Sequence, residues 1–127
     1  MDERIRYINI RFISPTQLKE KDAWFTISSE VKWLFGIHGA AEVGLFLSYF
    51  NQDTQGGIFR ASHTCVYRIR AAICFILSKF NDPILIYSEN ISGSLKKAKS
   101  LLNTKKYLDR YHTLRELLFT FWETKPR

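Results

Sequence analysis

Along residues 4–13 apolar and polar positions alternate. Ile8, Ile10 and Phe12 fall on one side, Tyr7, Asn9 and Arg11 on the other. A period of two marks a half-buried strand. Ser14-Pro15 then reads as a helix N-cap with proline at the first helical position. Leu18, Trp24, Phe25, Ile27, Val31, Leu34 and Phe35 recur at helical spacing up to Gly36, with a break expected near Asp22. Residues 36–39 read as a loop. Residues 41–50 alternate again and put Val43, Leu45, Leu47 and Tyr49 on one face of a second strand. The polar stretch 51–57 makes a hairpin connection longer than a two-residue turn.

Ile58-Phe59-Arg60 forms a short third strand, and Ser62 or Thr64 caps a second helix over residues 64–79. Its core stripe is Val66, Ile69, Ile73, Ile76 and Phe80, and Asn81-Asp82-Pro83 stops it. Residues 84–89 supply a fourth strand, followed by a Ser-Gly-Ser turn and a basic helix from Leu95 onward. A last amphipathic segment, residues 104–122, carries Tyr107, Tyr111, Leu114, Leu118 and Phe121 on one stripe. The order strand–helix–strand–strand–helix–strand is the split βαβ arrangement. The expected fold is therefore α/β (α+β): a ferredoxin-like, RRM-like βαββαβ sandwich on a four-stranded antiparallel sheet, with additional C-terminal helices. Residues 1–102 form the main domain and residues 103–127 an amphipathic helical extension.

At 127 residues the chain suits one domain, and a hydrophobic content of 46% excludes a disordered protein. Nineteen Lys+Arg against twelve Asp+Glu give a formal charge of +7, which favours an anionic partner and says nothing about fold. No apolar run reaches bilayer-spanning length and the charged start does not resemble a signal peptide, so no membrane association is expected. Cys65 and Cys74 lie on different faces of one expected helix, cannot pair there, and have no zinc-site spacing. Unpaired thiols point to a reducing compartment, and cytoplasmic localisation is expected.

Candidate chemistry concentrates after the fourth strand. Ser92-Gly93-Ser94 leads into Lys96, Lys97, Lys99, Lys105 and Lys106, with no acid between residues 94 and 106. A strand feeding a turn at a helix N-terminus offers unpaired backbone N–H groups to an anion. Lysines in that first turn oppose the helix dipole, so something other than helix stability calls for them. The competing reading is a solvated helix face behind a serine cap. Arg60 ends the third strand near Arg68 and Arg70, and either contacts phosphate or pairs with an acid such as Glu42. Tyr7, Phe46 and Tyr87 or Ile86 point outward from the sheet. The chain lacks the Gly-aromatic-Gly/Ala-Phe pattern of a base-stacking platform, so cover by the C-terminal segment or a partner is the better reading. Phe75, opposite the core stripe beside Ala71 and Ala72, is a candidate partner-binding residue. His38, His63 and His112 are scattered, and no catalytic constellation can be assembled.

Five motifs carry a resemblance. They are Arg6-Tyr7-Ile8; Phe35-Gly36 with Gly39; Gly57-Ile58-Phe59-Arg60; residues 66–73 (Val-Tyr-Arg-Ile-Arg-Ala-Ala-Ile); and residues 91–98 (Ile-Ser-Gly-Ser-Leu-Lys-Lys-Ala). In order and spacing the chain resembles, over residues 4–102, the protein component 2 family of archaeal and eukaryotic ribonuclease P, with a length closer to the archaeal members. Ile91, Ser94 and Leu95 stand where the family's usual form has Val, Thr and Ile, which preserves size and hydroxyl character. The resemblance implies a non-catalytic subunit that helps a catalytic RNA remove the 5′ leader from precursor tRNA. Its implied partners are ribonuclease P RNA, a TIM-barrel subunit called ribonuclease P protein component 3, and precursor tRNA through the complex. Mg2+ would sit on the RNA, with no cofactor on the protein. Joined to the residue-level reading, this makes Arg60, Arg68, Ser92, Gly93, Ser94, Lys96, Lys97 and Lys99 the expected RNA contacts. Two alternatives remain: a small acylphosphatase-like enzyme using Arg60 or Arg11 with Asn9 or Asn51, and a module that dimerises through its sheet.

Overall fold

The computed structural model describes residues 4–76, 78–79 and 82–124. In chain order it forms β1 (Ile5–Ile13), α1 (Glu20–Val43), β2 (Phe46–Asn51), β3 (Gly56–Ser62), α2 (Val66–Phe75), β4 (Leu85–Ser92), α3 (Leu95–Leu102) and α4 (Lys105–Thr124). A 3-10 turn, His63–Cys65, precedes α2, and a two-residue ribbon pairing Ser78–Lys79 with Asp82–Pro83 leads into β4. The main sheet has the order β2-β3-β1-β4 with every pairing antiparallel, which is the expected ferredoxin-like topology.

The alternation in β1 decides which layer lies on which face. Ile8, Ile10 and Phe12 join Phe59 and Ala61 of β3 and Ile86 of β4 in a core closed by Ala23, Ile27 and Val31 of α1 and Val66, Ile69 and Ile73 of α2. Burying each large side chain of this kind contributes about 1.5–3 kcal/mol. On the opposite face Ile58 packs beneath Ala98 and Leu102 of α3, with Tyr7, Tyr49 and Leu95 partly buried around them. The result is three layers: α1 with α2, the sheet, then α3 with α4.

Several local expectations are corrected. Ser14-Pro15 opens a turn and not the helix: the Ser14 hydroxyl accepts from Thr16 N at 3.3 Å, and α1 begins at Glu20. The loop before it is held by Gln55, whose side-chain oxygen accepts from Leu18 N (2.8 Å) while its amide donates to Leu18 O (2.9 Å). The helix then runs through Gly36, which at φ 75° and ψ 178° makes a one-residue kink, and stops at Gly44 (φ 61°). Residues 37–43 are thus helical and not a loop and strand, because Ala40 and Val43, three apart, still reach the core. In β2 a register shift between Leu47 and Tyr49 turns Phe50 towards the α1 layer and Tyr49 towards α3, so Leu47 and Tyr49 do not share a face. α2 ends at Phe75, short of residue 79. Ile76 is extended but still buried, and Phe80 and Asn81 lie outside the described residues. The basic helix ends at Leu102, where Thr104 donates to Leu101 O at 2.9 Å and α4 takes over. Cys65 is buried and Cys74 exposed, both as free thiols.

One polar side chain crosses the layers. Arg11 is fully buried and clasps Glu89 of β4 with two hydrogen bonds of 3.1 and 2.8 Å. It also donates to Thr54 O in the β2–β3 turn (3.0 Å) and to Leu102 O at the end of α3 (2.7 Å). The Tyr111 ring of α4 lies 5.6 Å from the guanidinium. Burial raises the pKa of the Glu89 carboxyl, and Arg11 opposes that rise. Burial likewise pushes the phenol of Tyr87, the β4 residue opposite Arg11, far above its ordinary range. Gly56 makes room for this arrangement, since a Cβ there would lie 2.7 Å from Arg11 Nη1 and 2.9 Å from Leu102 Cδ1.

Arg11→Met leaves the Glu89 carboxylate buried without its partner and is expected to lower unfolding free energy by about 3–5 kcal/mol. Combining it with Glu89→Leu should recover much of the loss in urea denaturation. Equal losses in the single and double variants would assign the cost to the orphaned Thr54 and Leu102 carbonyls.

Candidate nucleic-acid interface

The turn from β4 into α3 is built by its serines. Ser94 is the N-cap: it is extended (φ −136°, ψ 143°) and its hydroxyl accepts from Lys97 N at 3.1 Å. Ser92 is buried and its hydroxyl donates to Ser94 O at 3.1 Å, so it shapes the turn from within and presents nothing to solvent. Gly93 is exposed, has no positive φ, and a Cβ there would meet only Arg6 Nη1, at 3.6 Å. Neither backbone strain nor internal crowding calls for glycine at this position.

Because Ala98 and Leu102 face the sheet, Lys96, Lys97 and Lys99 are all exposed. Lys99 Nζ stands 5.2 Å from the centre of the Tyr49 ring. None of the three has a carboxylate partner among the described residues. Arg60 is also exposed. Its register row runs Phe46–Arg60–Tyr7–Ser92 across all four strands, on the α3 side and at the end where α3 begins. The structure therefore brings Arg60, Gly93, Ser94, Lys96 and Lys97 to one end of the sandwich, while Lys99 lies in the last turn of α3 over Tyr49. Arg6, known from sequence only as part of the first motif, joins them, its Nη1 3.6 Å from where a Cβ on Gly93 would lie. The adjacency of β1 and β4 in a ferredoxin-like order was the signal that could have placed Arg6 beside this turn.

Arg68 does not join them. It projects from α2 into the opposite layer, donating to Gly39 O at 3.0 Å, lying 3.3 Å from Glu42 and 5.6 Å from the Phe35 ring centre. There it staples α2 to the second half of α1, and Glu42 is taken by Arg68, not Arg60. Phe75 is 63% exposed on α2, also away from α3, while its expected neighbour Ala72 is buried in the core.

The aromatic face of the sheet is covered. Tyr7 and Tyr49 pack beneath α3, Tyr87 has its hydroxyl buried, and Tyr111 of α4 closes over Arg11. Phe46 alone of the outward aromatics named from sequence stays largely exposed. Of the residues of the acylphosphatase-like alternative, Arg60 is exposed, but Arg11 is buried and makes four hydrogen bonds, buried Asn9 donates to Ala98 O at 2.9 Å, and Asn51 accepts from Asp53 N and Thr54 N, so Arg60 has neither asparagine to act with. Among the described residues no three His, Cys, Asp or Glu side chains converge to hold a metal ion, and no helix is long and apolar enough to cross a membrane.

What remains chemically is a helix start with exposed lysines that have no carboxylate partner among the described residues, an exposed glycine and two arginines at the same sheet end. The model of the Rpp14/Pop5 family matches residues 6–103, from β1 through the whole of α3. The chain belongs to the Rpp14/Pop5 family. Among its relatives, the chain is 31% identical over 100 residues to ribonuclease P protein component 2 of Saccharolobus solfataricus, covering 79% of this chain and 70% of that one. It is 29% identical over 105 residues to the protein of that name from Methanocaldococcus jannaschii, covering 82% and 77%. A chain in the cryo-EM structure of yeast ribonuclease MRP shares the fold, with a TM-score of 0.59 and 16% identity over 97% of this chain and 95% of that one. Every candidate contact of this Rpp14/Pop5 protein falls inside the matched segment, whereas α4 lies beyond it.

Replacing Lys96, Lys97 and Lys99 together by Ala is expected to flatten the logarithmic salt dependence of RNA binding by about two units. Each exposed substitution should alter stability by less than about 0.5 kcal/mol. Arg68→Ala is the contrasting control: it should lower stability by roughly 1–2 kcal/mol and leave the salt slope unchanged. An unchanged slope in the triple variant would take α3 out of the interface. Gly93→Val should melt like the parent, given the open space around it, yet bind RNA more weakly at the same salt concentration. Undiminished affinity would remove the turn from the contact surface.

Proposed function

We propose that this protein is a non-catalytic, RNA-binding subunit of ribonuclease P that supports the catalytic RNA in removing the 5′ leader from precursor tRNA. The observation that carries the proposal is the start of α3. Lys96 and Lys97, without a carboxylate partner among the described residues, follow an exposed glycine turn and a capped helix N-terminus, with Arg6 and Arg60 at the same end and Lys99 one turn on, in a chain of the Rpp14/Pop5 family. Each such cation that meets a phosphate releases condensed counterions, which lowers the electrostatic cost of folding a large RNA. The covered sheet supports contact through backbone and shape over base stacking.

The partners in this reading are ribonuclease P RNA, precursor tRNA within the complex, and the TIM-barrel protein component 3. Mg2+ ions on the RNA supply the hydrolytic chemistry, and the setting is the cytoplasm. A protein partner has the α1–α2 layer available to it, away from the RNA-facing end. Phe75 lies there, and so do Trp33 and Ile37, 81% and 74% exposed beside a cavity of about 750 Å3.

The RNA-free protein is expected to show no ribonuclease activity. Reconstituted with cognate RNA and the protein partner, it should raise precursor-tRNA cleavage at limiting magnesium. Magnesium-dependent turnover by rigorously RNA-free protein would sink this reading.

A further inference from the structure

A second concave surface opens where α4, beyond the segment matched by the family model, meets two loops inside it. It is a cleft of about 340 Å3 between the β1–α1 loop, the β2–β3 turn and α4, with Ser14, Gln17, Asp53, Gln55, His112 and Arg115 in its walls. That volume is within the range of small-ligand sites. Polar side chains dominate it, in contrast to the apolar cavity along α1.

Its walls are fixed before any ligand arrives. Gln55 is the one non-glycine residue with positive φ among the described residues, at 55°. Its side chain accepts from Leu18 N and donates to Leu18 O and to Gln52 O (2.7 Å), which holds it in that conformation. Gln17 donates to Gln52 O at 2.6 Å, tying loop to turn, and Asn51 Oδ1 receives Asp53 N at 3.0 Å. On the third wall the Arg115 guanidinium rests 4.4 Å from the Phe119 ring centre, which orients a long side chain that would otherwise sample many rotamers. Strain of this kind persists where the surroundings over-determine it, and it concentrates at ligand sites.

The chemistry of the walls narrows the ligand. Arg115 and His112 suit a phosphate, but Asp53 across the cleft repels a bare anion. An acceptor carboxylate and the Gln17 amide instead suit donors, such as a nucleobase amino group or a ribose hydroxyl. A ligand carrying phosphate at one end and donors at the other satisfies both walls. We propose that this cleft receives one nucleotide of single-stranded RNA, its phosphate toward Arg115 and His112 and its base or ribose toward Asp53 and Gln17. The inference rests on the RNA-binding reading above and gives it a second anchor. β1 spans the separation between the two, roughly 20–25 Å from the row of Tyr7 to the cleft.

The test is amide NMR on the 15N-labelled full chain, titrated separately with AMP, CMP, GMP, UMP and inorganic phosphate. At least one nucleotide should shift the amides of Gln17, Asp53, Gln55 and His112 saturably, while phosphate alone should not. Arg115→Ala, an exposed substitution, should weaken that titration about tenfold or more with an unchanged fold, since a charge-assisted hydrogen bond is lost. Lys32→Ala, an exposed substitution on α1, should leave it as in the parent. Phosphate reproducing the shifts would reduce the cleft to an anion site and overturn the proposal. Silence in the cleft, with Gly93 and Lys97 responding to RNA, would overturn it while leaving the α3 interface standing. Shifts produced only by adding protein component 3 would make the cleft a protein contact and overturn it as well.

Discussion

The buried Arg11–Glu89 pair is the interaction on which the three-layer arrangement depends. An ion taken from water costs several kcal/mol unless its partners are well placed, so Arg11 is tolerable only where all its neighbours converge. They come from five segments: β1 itself, β4 through Glu89, the β2–β3 turn through Thr54, α3 through Leu102 and α4 through Tyr111. The requirement reaches outward to Gly56, whose missing side chain leaves the space that the guanidinium and Leu102 occupy. Hydrophobic packing around Ile58, Ala98 and Leu102 holds α3 on the sheet, but apolar contact is non-directional. The two carbonyl contacts, Asn9 to Ala98 and Arg11 to Leu102, fix where along the sheet the helix lies. Lys96 and Lys97 at its other end inherit that position.

In the proposed function, covering both faces of the sheet also decides how nucleic acid would be met. An RNA-recognition module leaves its aromatic strands open and reads bases by stacking. Here the corresponding face is filled by α3 and Tyr111, and cations gather at the rim where β1, β3 and β4 end near the α3 start. Contact at a rim favours the phosphate backbone, which positions an RNA without reading its sequence.

Much of this was legible in the chain because it is local. Period two in β1 assigned Ile8, Ile10 and Phe12 to one layer and Arg11 to the other. The three-and-four spacing of Val66, Ile69 and Ile73 gave the buried face of α2, and Ser94 gave the cap of α3. The errors have non-local causes. Gly36 reads as a helix stop, yet tertiary contacts of Ala40 and Val43 restart the helix after a single residue. The shift in β2 that turns Tyr49 over is set by pairing with β3 and leaves no trace in its own alternation. For charged residues the limit is sharper. Arg11, Arg60 and Arg68 look alike in sequence, and only the fold distinguishes a buried hub, an exposed cation and an interhelical staple. Ser92 is adjacent to Gly93 and Ser94, but its hydroxyl is spent within the turn on Ser94 O.

The two cysteines divide between environments in a way that offers a labelling handle. Cys65 is enclosed beside the α1–α2 core, whereas Cys74 stands exposed on α2, in the layer opposite α3. A maleimide dye or nitroxide attached to the native chain would therefore enter at one position, without engineered cysteines. From there it reports on the helical layer that a protein partner would approach, and the lysine-bearing end stays unmodified.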